Sequence, residues 1–279
     1  MTGSPVSVLD LLSNYYVTRE KLSELVALER AEREKDAVIR KLSDHIEGAR
    51  AELKLPILQI FDEISGRISG SCWSSSGLQP DQILRNRCLA KFGDIVSAIQ
   101  ALTPNEFEQF CAAFLSSLGA TKTKVTVQSG DDGIDFYGWL HLGEHQPSQG
   151  VLANKVRLYF AGQAKHYPKN RLGTAVVREL VGAVELGKAG TISNGQNLFD
   201  NERLRPFDPL VVLLITTGAF TKGARKLAAG CGIFTFDVGH VAYHLADRHI
   251  GFVLSEESVS FSKEEFDNWI TVHANFQAV

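Results

Sequence analysis

Two stretches of this chain decide its expected fold: Ser129-Gly130-Asp131-Asp132-Gly133-Ile134-Asp135-Phe136 and, about one hairpin later, Gln163-Ala164-Lys165. The Gly-flanked acids of the first stretch are typical of a tight turn that leads into a strand. Asp135 lies between two apolar residues of that strand, where an unpaired carboxylate would be costly. We therefore expect a metal ion or a buried cation beside Asp135.

The second stretch places two polar side chains on one face of a predicted strand. Because side chains alternate along a strand, Gln163 and Lys165 point the same way while Ala164 points into the opposite layer. A Mg²⁺ ion prefers carboxylate and carbonyl oxygens, which Asp135 and the weaker amide ligand of Gln163 supply. Lys165 can stabilise charge on a phosphate, or orient and deprotonate an attacking water. Together these residues indicate metal-assisted phosphodiester cleavage.

Periodicity predicts an α/β core around these stretches. The expected order is helix, three strands, helix, strand, helix, strand and helix, which gives a mixed sheet with helices on both faces. The helix that begins at Thr103-Pro104-Asn105-Glu106 carries a capping box with Pro in its first turn. The expected helices are 103–118, 174–188, one bearing Lys222, 238–248 and 262–276, and the expected strands are 123–128, 134–142, 155–165, 210–216 and 232–237.

The first hundred residues have a different composition and form a second expected part. Residues 8–55 contain no Pro and one Gly, and are rich in Leu, Glu, Arg, Lys and Ala, which favours long helices. A heptad frame over 25–53 is interrupted at Glu32 and Lys35. An intermolecular coiled coil therefore stays open beside a helical hairpin, with the polar stretch 30–36 at its bend or on a solvated face. The segments that follow are expected to be a helix at 56–64, a Ser/Gly-rich loop at 65–80 and a helix at 81–100.

Blocks of sequence between residues 102 and 250 resemble, in their order, the PD-(D/E)XK nuclease superfamily and more closely the Mrr-type restriction endonuclease catalytic domain. The blocks are Thr103–Phe110, Gly130–Asp135, Gln163–His166, Arg178–Gly182, Thr216–Thr221 and Ala224–Ala228. The resemblance implies a restriction-endonuclease-like mixed sheet flanked by helices over residues 101–279. A helical domain at 1–100, for dimerisation, DNA binding or regulation, would precede it.

The resemblance also implies roles for individual residues. The metal-binding Asp of the family falls on Asp135, its Gln-x-Lys falls on Gln163 and Lys165, and its helical Glu falls on Glu108. Spacing alone would favour a solvent-facing Glu108, which the resemblance reverses. In the wider superfamily the position of Gln163 is occupied by Asp or Glu. The residues that would bind a second metal ion therefore stay undetermined.

Two further acids are secondary candidates. Asp132 sits where Gly-flanked acids also simply stabilise turns. Glu179, on the helix after the Gln-x-Lys strand, can orient Lys165 or a catalytic water, and its plain alternative is a surface ion pair.

Two cationic segments are candidates for contact with a phosphate backbone. A backbone-binding surface needs Lys and Arg side chains, aromatic neighbours or free N–H groups at a helix start. A solvated loop and a solvated helix face are the plain alternatives. The candidates are His166, Lys169 and Arg171 in the connection after the third strand, and Lys222, Arg225 and Lys226 on the helix after the buried strand.

Composition sets the remaining limits. The chain has 279 residues and a formal net charge of −3, so a nucleic-acid partner requires a local basic surface. Four scattered cysteines without a Cys-x-x-Cys pair argue against a zinc site or a disulfide framework. The first residues resemble no signal peptide, and the longest apolar run, 210–215, is far too short to span a membrane. We therefore expect a cytoplasmic protein without a membrane partner.

Two functional classes follow. The leading one is a Mg²⁺-dependent endonuclease, with Mn²⁺ as a possible substitute, that cuts double-stranded DNA in prokaryotic restriction or anti-phage defence. A homodimer or higher homo-oligomer is expected, since two active sites ease the cutting of both strands. The alternative is a catalytically weak, nuclease-derived regulatory module that binds DNA or protein, which Gln163 in place of a carboxylate favours.

Overall fold

The computed structural model describes residues 6–51, 59–62, 67–70, 84, 87–126, 133–141, 156–188, 207–255 and 258–275. The chain divides into two compact units. The first comprises 1–95, 243–249 and 254–261, and the second comprises 96–242, 250–253 and 262–279. The division into folding domains at residue 100 stays a prediction.

The first unit begins with a helical hairpin and a small sheet. Its elements are strand β1 (Val6–Ser7), helices α1 (Val8–Thr18) and α2 (Glu24–Ala51), and strands β2 (Gln59–Asp62) and β3 (Arg67–Gly70). The strands form an antiparallel sheet in the order β1-β3-β2. Tyr16, Ala27 and Ala31 are buried where α1 packs on α2. The two helices therefore form a hairpin, as in the second alternative predicted from the sequence. The bend lies at 19–23, where Lys21 has φ +60°, and the polar stretch 30–36 is helical.

Two expectations for the first unit are wrong. Residues 59–62 form a strand inside the helix expected at 56–64, and residues 67–70 form its partner inside the expected loop at 65–80. A short apolar run fits a strand and a helix equally well, because only longer segments show a distinguishing period. Pairing between these two segments, which no local pattern encodes, selects the strand. The rest of both predictions lies outside the described residues.

The elements that follow residue 84 belong mostly to the second unit, although residues 87–95, 243–249 and 254–261 belong to the first. A helical turn at 87–89 precedes α3, so the helix expected at 81–100 is interrupted at residues 90 and 91. The elements in chain order are α3 (Phe92–Gln100), α4 (Pro104–Ser117), β4 (Lys122–Val125), β5 (Phe136–His141), β6 (Arg157–Lys165), β7 (Arg171–Leu172), α5 (Thr174–Lys188), β8 (Leu210–Thr216), β9 (Ala219–Phe220), α6 (Lys222–Gly230), β10 (Ile233–Phe236), α7 (Val238–Asp247), β11 (Phe252–Leu254), β12 (Val259–Phe261) and α8 (Lys263–His273). The short strands β7, β9, β11 and β12 were not expected from the sequence.

A five-stranded mixed sheet in the order β10-β8-β6-β5-β4 confirms the predicted α/β architecture. Strands β4, β5 and β6 pair antiparallel, whereas β6, β8 and β10 pair parallel. The change of direction occurs at β6, the strand that ends in Gln-x-Lys. Its last residue, Lys165, lies opposite Thr216 at the end of β8.

Helices cover both faces of this sheet. On one face α4 buries Phe107, Phe110 and Phe114, and Phe110 contacts Phe266 of α8 at a ring separation of 5.6 Å. On the other face α5 and α6 contribute to a second apolar cluster with Tyr137 and other strand residues. The predicted capping box is present at the start of α4, where Thr103 and Glu106 bond each other.

Within the described ranges, no helix combines the length and the apolar composition that crossing a bilayer requires.

Candidate active site

The candidate site lies where the end of β6 meets the residue before β5. Asp135 Oδ2 accepts a hydrogen bond from the backbone N–H of Ala164 at 2.7 Å. The Asp135 N–H donates to Gly162 O at 2.9 Å, and the Asp135 carbonyl accepts from Thr126 N at 3.0 Å. Asp135 is therefore fixed on both sides and lies beside the Gln-x-Lys segment.

The absence of a side chain at Gly162 allows β5 and β6 to pack closely beside the site. Phe136 lies opposite Gly162 in the β5–β6 ladder. A Cβ atom at Gly162 would lie 2.2 Å from Phe136 Cζ, closer than real atoms pack. Gly162 therefore lets the Phe136 ring cross β6 next to the residues that carry the site.

The amide of Gln163 is buried and only half satisfied. Its Nε2 donates to Glu179 Oε1 at 3.2 Å. The side chain is 1% exposed, and its Oε1 has no hydrogen-bond partner among the residues that the structure describes. A buried acceptor without a partner costs about 1–3 kcal/mol. Such a cost is understandable where the oxygen has a ligand to bind.

Lys165 is held at both its ends. The ammonium lies 3.5 Å from Glu179 Oε1, with 21% of the Lys165 side chain and 56% of the Glu179 side chain exposed. The Lys165 carbonyl accepts hydrogen bonds from Thr216 Oγ1 at 2.8 Å and from Thr217 N at 3.3 Å. These bonds join the ends of β6 and β8 and so fix the direction in which Lys165 leaves the sheet.

Glu108 of α4 interacts electrostatically with Asp135 and with Lys165. Burial raises the pKa of Glu108, the negative charge of Asp135 raises it further, and the positive charge of Lys165 lowers it. Glu108 is half-buried, contrary to the solvent-facing position that spacing alone favoured. Both charge effects require it to be near Asp135 and Lys165, because such effects decay with distance.

The pKa of Asp135 is also raised. Burial is the largest cause and the charge of Glu179 adds to it, while the hydrogen bond from Ala164 N and the charge of Lys165 act in the opposite direction. The Lys165 ammonium thus interacts with three carboxylates, because it pairs with Glu179 at 3.5 Å and its charge lowers the pKa of Asp135 and of Glu108. A further positive charge would relieve their mutual repulsion.

The donor set fits a hard divalent cation. Asp135 and Glu108 offer carboxylate oxygens and Gln163 offers a buried amide oxygen, and Mg²⁺ binds such oxygens while keeping several waters. Among the described residues, no group of three or more His, Cys, Asp or Glu is arranged to hold a metal. The fit therefore depends on counting the amide of Gln163 as a ligand. Asp132 lies outside the described residues.

Comparison with known proteins identifies a family for part of the chain. Residues 99–193 match the family model of the Mrr catalytic domain, described as restriction endonuclease. The predicted resemblance is confirmed. A match to this family indicates a nuclease, and residues 99–193 contain all of the site residues named above. No curated protein matches the chain.

A solved structure is similar in part. It is the MspJI restriction endonuclease in complex with a 27-mer oligonucleotide, with a TM-score of 0.38 and 18% sequence identity. The similarity covers 64% of this chain and 36% of that chain, so the chain spans about a third of the length of that structure.

The two cationic segments are adjacent in the second unit. Strands β7 and β9 pair in parallel, with Arg171 opposite Ala219, and Thr221 N donates to Leu172 O at 2.9 Å. This short ladder joins the loop after β6 to the start of α6, which carries Lys222. Two-residue strands have no period, so sequence reasoning missed the ladder.

The six predicted DNA-binding side chains differ in exposure. Those of Lys169, Arg171, Lys222 and Lys226 are exposed and that of Arg225 is half-buried. His166 is half-buried, and its ring packs edge-on against Phe107 with centroids 5.6 Å apart. A phosphate contact is thus easier for the four exposed cations than for His166.

Proposed function

We propose that this chain is a Mg²⁺-dependent endonuclease that hydrolyses phosphodiester bonds of double-stranded DNA. The observation that supports it most is the 2.7 Å hydrogen bond from Ala164 N to Asp135 Oδ2. That bond places the Asp135 carboxylate beside Ala164 of β6, and Gln163 and Lys165 are the residues before and after Ala164. The family match makes nuclease chemistry the natural use of this arrangement.

Each residue has a role in this proposal. Asp135, Gln163 and Glu108 would hold Mg²⁺, for which Mn²⁺ would be a possible substitute. The ion, when bound, lowers the pKa of an attacking water and offsets charge on the phosphate. Lys165, fixed by its carbonyl bonds and partly desolvated, donates to a phosphate oxygen or orients the water.

The cations of the two adjacent segments would make the DNA contacts. Lys169 and Arg171 beside the β7–β9 ladder, with Lys222, Arg225 and Lys226 on α6, would bind the phosphate backbone, and His166 would support them. A net charge of −3 requires such a local surface. Binding through these side chains should weaken as salt rises, because displaced counterions return to the DNA.

We further infer a place for this activity. A cytoplasmic nuclease of a restriction family suits prokaryotic restriction or anti-phage defence. Cutting both strands would employ two copies, paired as a homodimer or higher homo-oligomer, and the first hundred residues, which include the α1–α2 hairpin, are candidates for that pairing.

Plasmid cleavage tests the proposal. Wild-type protein with Mg²⁺ should nick or linearise supercoiled plasmid, and a chelator should stop it. Asp135→Ala and Lys165→Ala should each lose cleavage, whereas Lys188→Ala, which removes an exposed lysine that pairs with Glu185, should keep it. Cleavage that persists in both site variants would refute the assignment.

A second candidate is a module that grips DNA or a protein without cutting. It is favoured by one observation, the amide of Gln163 where the wider superfamily has a carboxylate. It predicts metal-independent retention of DNA in a mobility-shift assay, with no cleavage of plain or methylated substrates. Metal-dependent cleavage of either substrate would exclude it.

A further inference from the structure

We propose that Glu179 is the positioning residue of this site, which turns the amide of Gln163 so that its oxygen, and not its nitrogen, is left for the ion. The inference rests on the proposed function, and it adds a residue whose role is to orient the others. It concerns the helix α5, which follows the Gln-x-Lys strand in the chain.

A single oxygen atom of Glu179 serves two partners. Its Oε1 accepts from Gln163 Nε2 at 3.2 Å and lies 3.5 Å from Lys165 Nζ. Residues i and i+2 of a strand share a face, so one carboxylate on the neighbouring helix reaches both. The two side chains that the mechanism needs on one wall are thus tied to one point.

An amide ligand needs such an anchor more than a carboxylate does. The two oxygens of a carboxylate are equivalent, whereas an amide has an acceptor end and a donor end of nearly the same shape. A Gln163 amide turned the wrong way would present its N–H groups to a cation. A hydrogen-bond acceptor beside the nitrogen, such as Glu179 Oε1, fixes the amide with its oxygen directed away from that acceptor.

Burial decides which of the two contacts matters more. Gln163 is 1% exposed, so its hydrogen bond is shielded from competing water. The Lys165–Glu179 pair is screened, since 56% of the Glu179 side chain is exposed. We therefore assign the orientation of Gln163 as the main role of Glu179 and the restraint of Lys165 as the lesser one.

Helix α5 positions the Asp135 side of the site as well. Gly133, two residues before Asp135, has φ +70°, and a Cβ atom there would lie 2.9 Å from Ala183 Cβ. The same atom would lie 3.7 Å from Gln163 Nε2. Glu179 and Ala183 are one helical turn apart and so share a face. One helix face therefore locates both the segment that carries Asp135 and the Gln163 amide.

The amide of Gln163 is observed most directly by NMR, without metal or DNA. In wild-type protein, one side-chain N–H proton of Gln163 should exchange slowly with solvent. Glu179→Ala should speed this exchange about tenfold, the equivalent of one net hydrogen bond. Glu179→Gln keeps an acceptor oxygen and should leave exchange slow. Glu185→Ala, on the same helix with Lys188 as its partner, is the matched control and should change nothing.

Cleavage kinetics give the second measurement. Residues that orient metal ligands are typically worth roughly 10- to 100-fold in activity. Glu179→Ala should lower kcat by that factor and leave the KM for DNA within about threefold, because no DNA contact is lost. Glu179→Gln should recover most of kcat. Equal losses in Glu179→Gln and Glu179→Ala would overturn the proposal.

An exchange of the two groups gives the sharpest test. Gln163→Glu would bring a second carboxylate against Glu179 in a buried place, so its melting temperature in chelator should fall. Adding Glu179→Gln restores one amide and one carboxylate and should recover the melting temperature. Independent, additive effects of the two substitutions would contradict the proposed contact.

The outcomes separate this inference from the proposed function. Exchange and melting experiments need no catalysis, so they support or overturn the role of Glu179 even if no DNA is cut. Wild-type cleavage with Gln163 exchange unchanged in Glu179→Ala would sink the positioning role alone. Slow exchange that depends on Glu179, in a protein that cuts nothing, would sink the nuclease alone.

Discussion

The charged groups of the N-terminal hairpin and those of the candidate site contrast in how they are compensated. In the hairpin, Arg30 pairs with Glu20 at 2.6 Å and with Glu34 at 3.0 Å, and its guanidinium lies 4.5 Å from the centre of the Tyr16 ring. The Tyr16 hydroxyl donates to Glu34. Hydrogen bonds from Tyr16 and then Arg30 lower the pKa of Glu34.

At the candidate site, the pKa values of two carboxyl groups are raised instead of lowered. Burial raises the pKa of Asp135 and of Glu108, and the buried oxygen of Gln163 finds no partner among the described residues. The charged form of Glu34 is stabilised in the hairpin, whereas Asp135 and Glu108 are held where their charge is costly. That difference is typical of binding and catalytic groups, which shape a site at the expense of stability.

The largest expected effect separates activity from stability. Asp135→Asn should reduce cleavage by roughly 100-fold or more, because it removes a carboxylate ligand, as removal of metal ligands and catalytic charges generally does. Its melting temperature in chelator should hold or rise, since an amide is cheaper to bury than a carboxylate. Plasmid cleavage and thermal melting on one preparation measure both. Glu34→Gln is the hairpin counterpart and should keep cleavage; a melting temperature that falls sharply in Asp135→Asn would break the contrast.

The next effect concerns packing beside the site. Gly162→Ala would force a Cβ atom against the Phe136 ring and should destabilise the second unit by about 1–3 kcal/mol, the usual cost of overpacking. Urea denaturation measures this change. Gly182→Ala, in α5 with nothing within 4 Å of the added Cβ, is the control and should gain up to about 1 kcal/mol from helix propensity. Changes of the same sign in both variants would contradict the steric argument.

A smaller effect is expected in the hairpin. Tyr16→Phe removes the hydroxyl that bonds Glu34 and should destabilise the first unit by about 0.5–1.5 kcal/mol. Hydrogen exchange of the α1 and α2 amides would locate the loss. Tyr15→Phe, at a neighbouring position where the residue is 52% exposed, is the matched control. Equal effects of both substitutions would show that the Glu34 bond contributes nothing.

The smallest effect is a difference in pH dependence, measured as melting temperature in chelator. Glu34 has a lowered pKa in the folded state, so its contribution is present above the usual Glu value and is lost as pH falls through the lowered pKa. Asp135 has a raised pKa, so its contribution is present below the usual Asp value and is lost as pH rises through the raised pKa. Glu34→Gln should reduce the fall of the melting temperature at acid pH. Asp135→Asn should reduce the fall of the melting temperature that occurs as pH rises through the raised pKa of Asp135. Identical profiles for wild type and both variants would remove the electrostatic basis of the comparison.

Much of the core was predictable because its signals are local. Strand 210–216 and helix 174–188 have the expected bounds, since a continuous apolar run and a 3.6-residue period are each visible within one segment. The capping box at Thr103 and Glu106 was equally local. The failures at 59–62 and 67–70 occur where a short segment takes its conformation from a partner strand.

The sequence by itself determined which chemical groups are available: an acid between two apolar residues at Asp135, and an amide and an ammonium two residues apart at Gln163 and Lys165. Strand alternation placed the latter two on one wall. Only the tertiary structure decided that Glu108 is partly buried beside them and that Glu179 bonds Gln163 Nε2, because burial and contacts between distant segments depend on the whole packed sheet. Local pattern thus named the groups, and long-range packing set their pKa values and orientation.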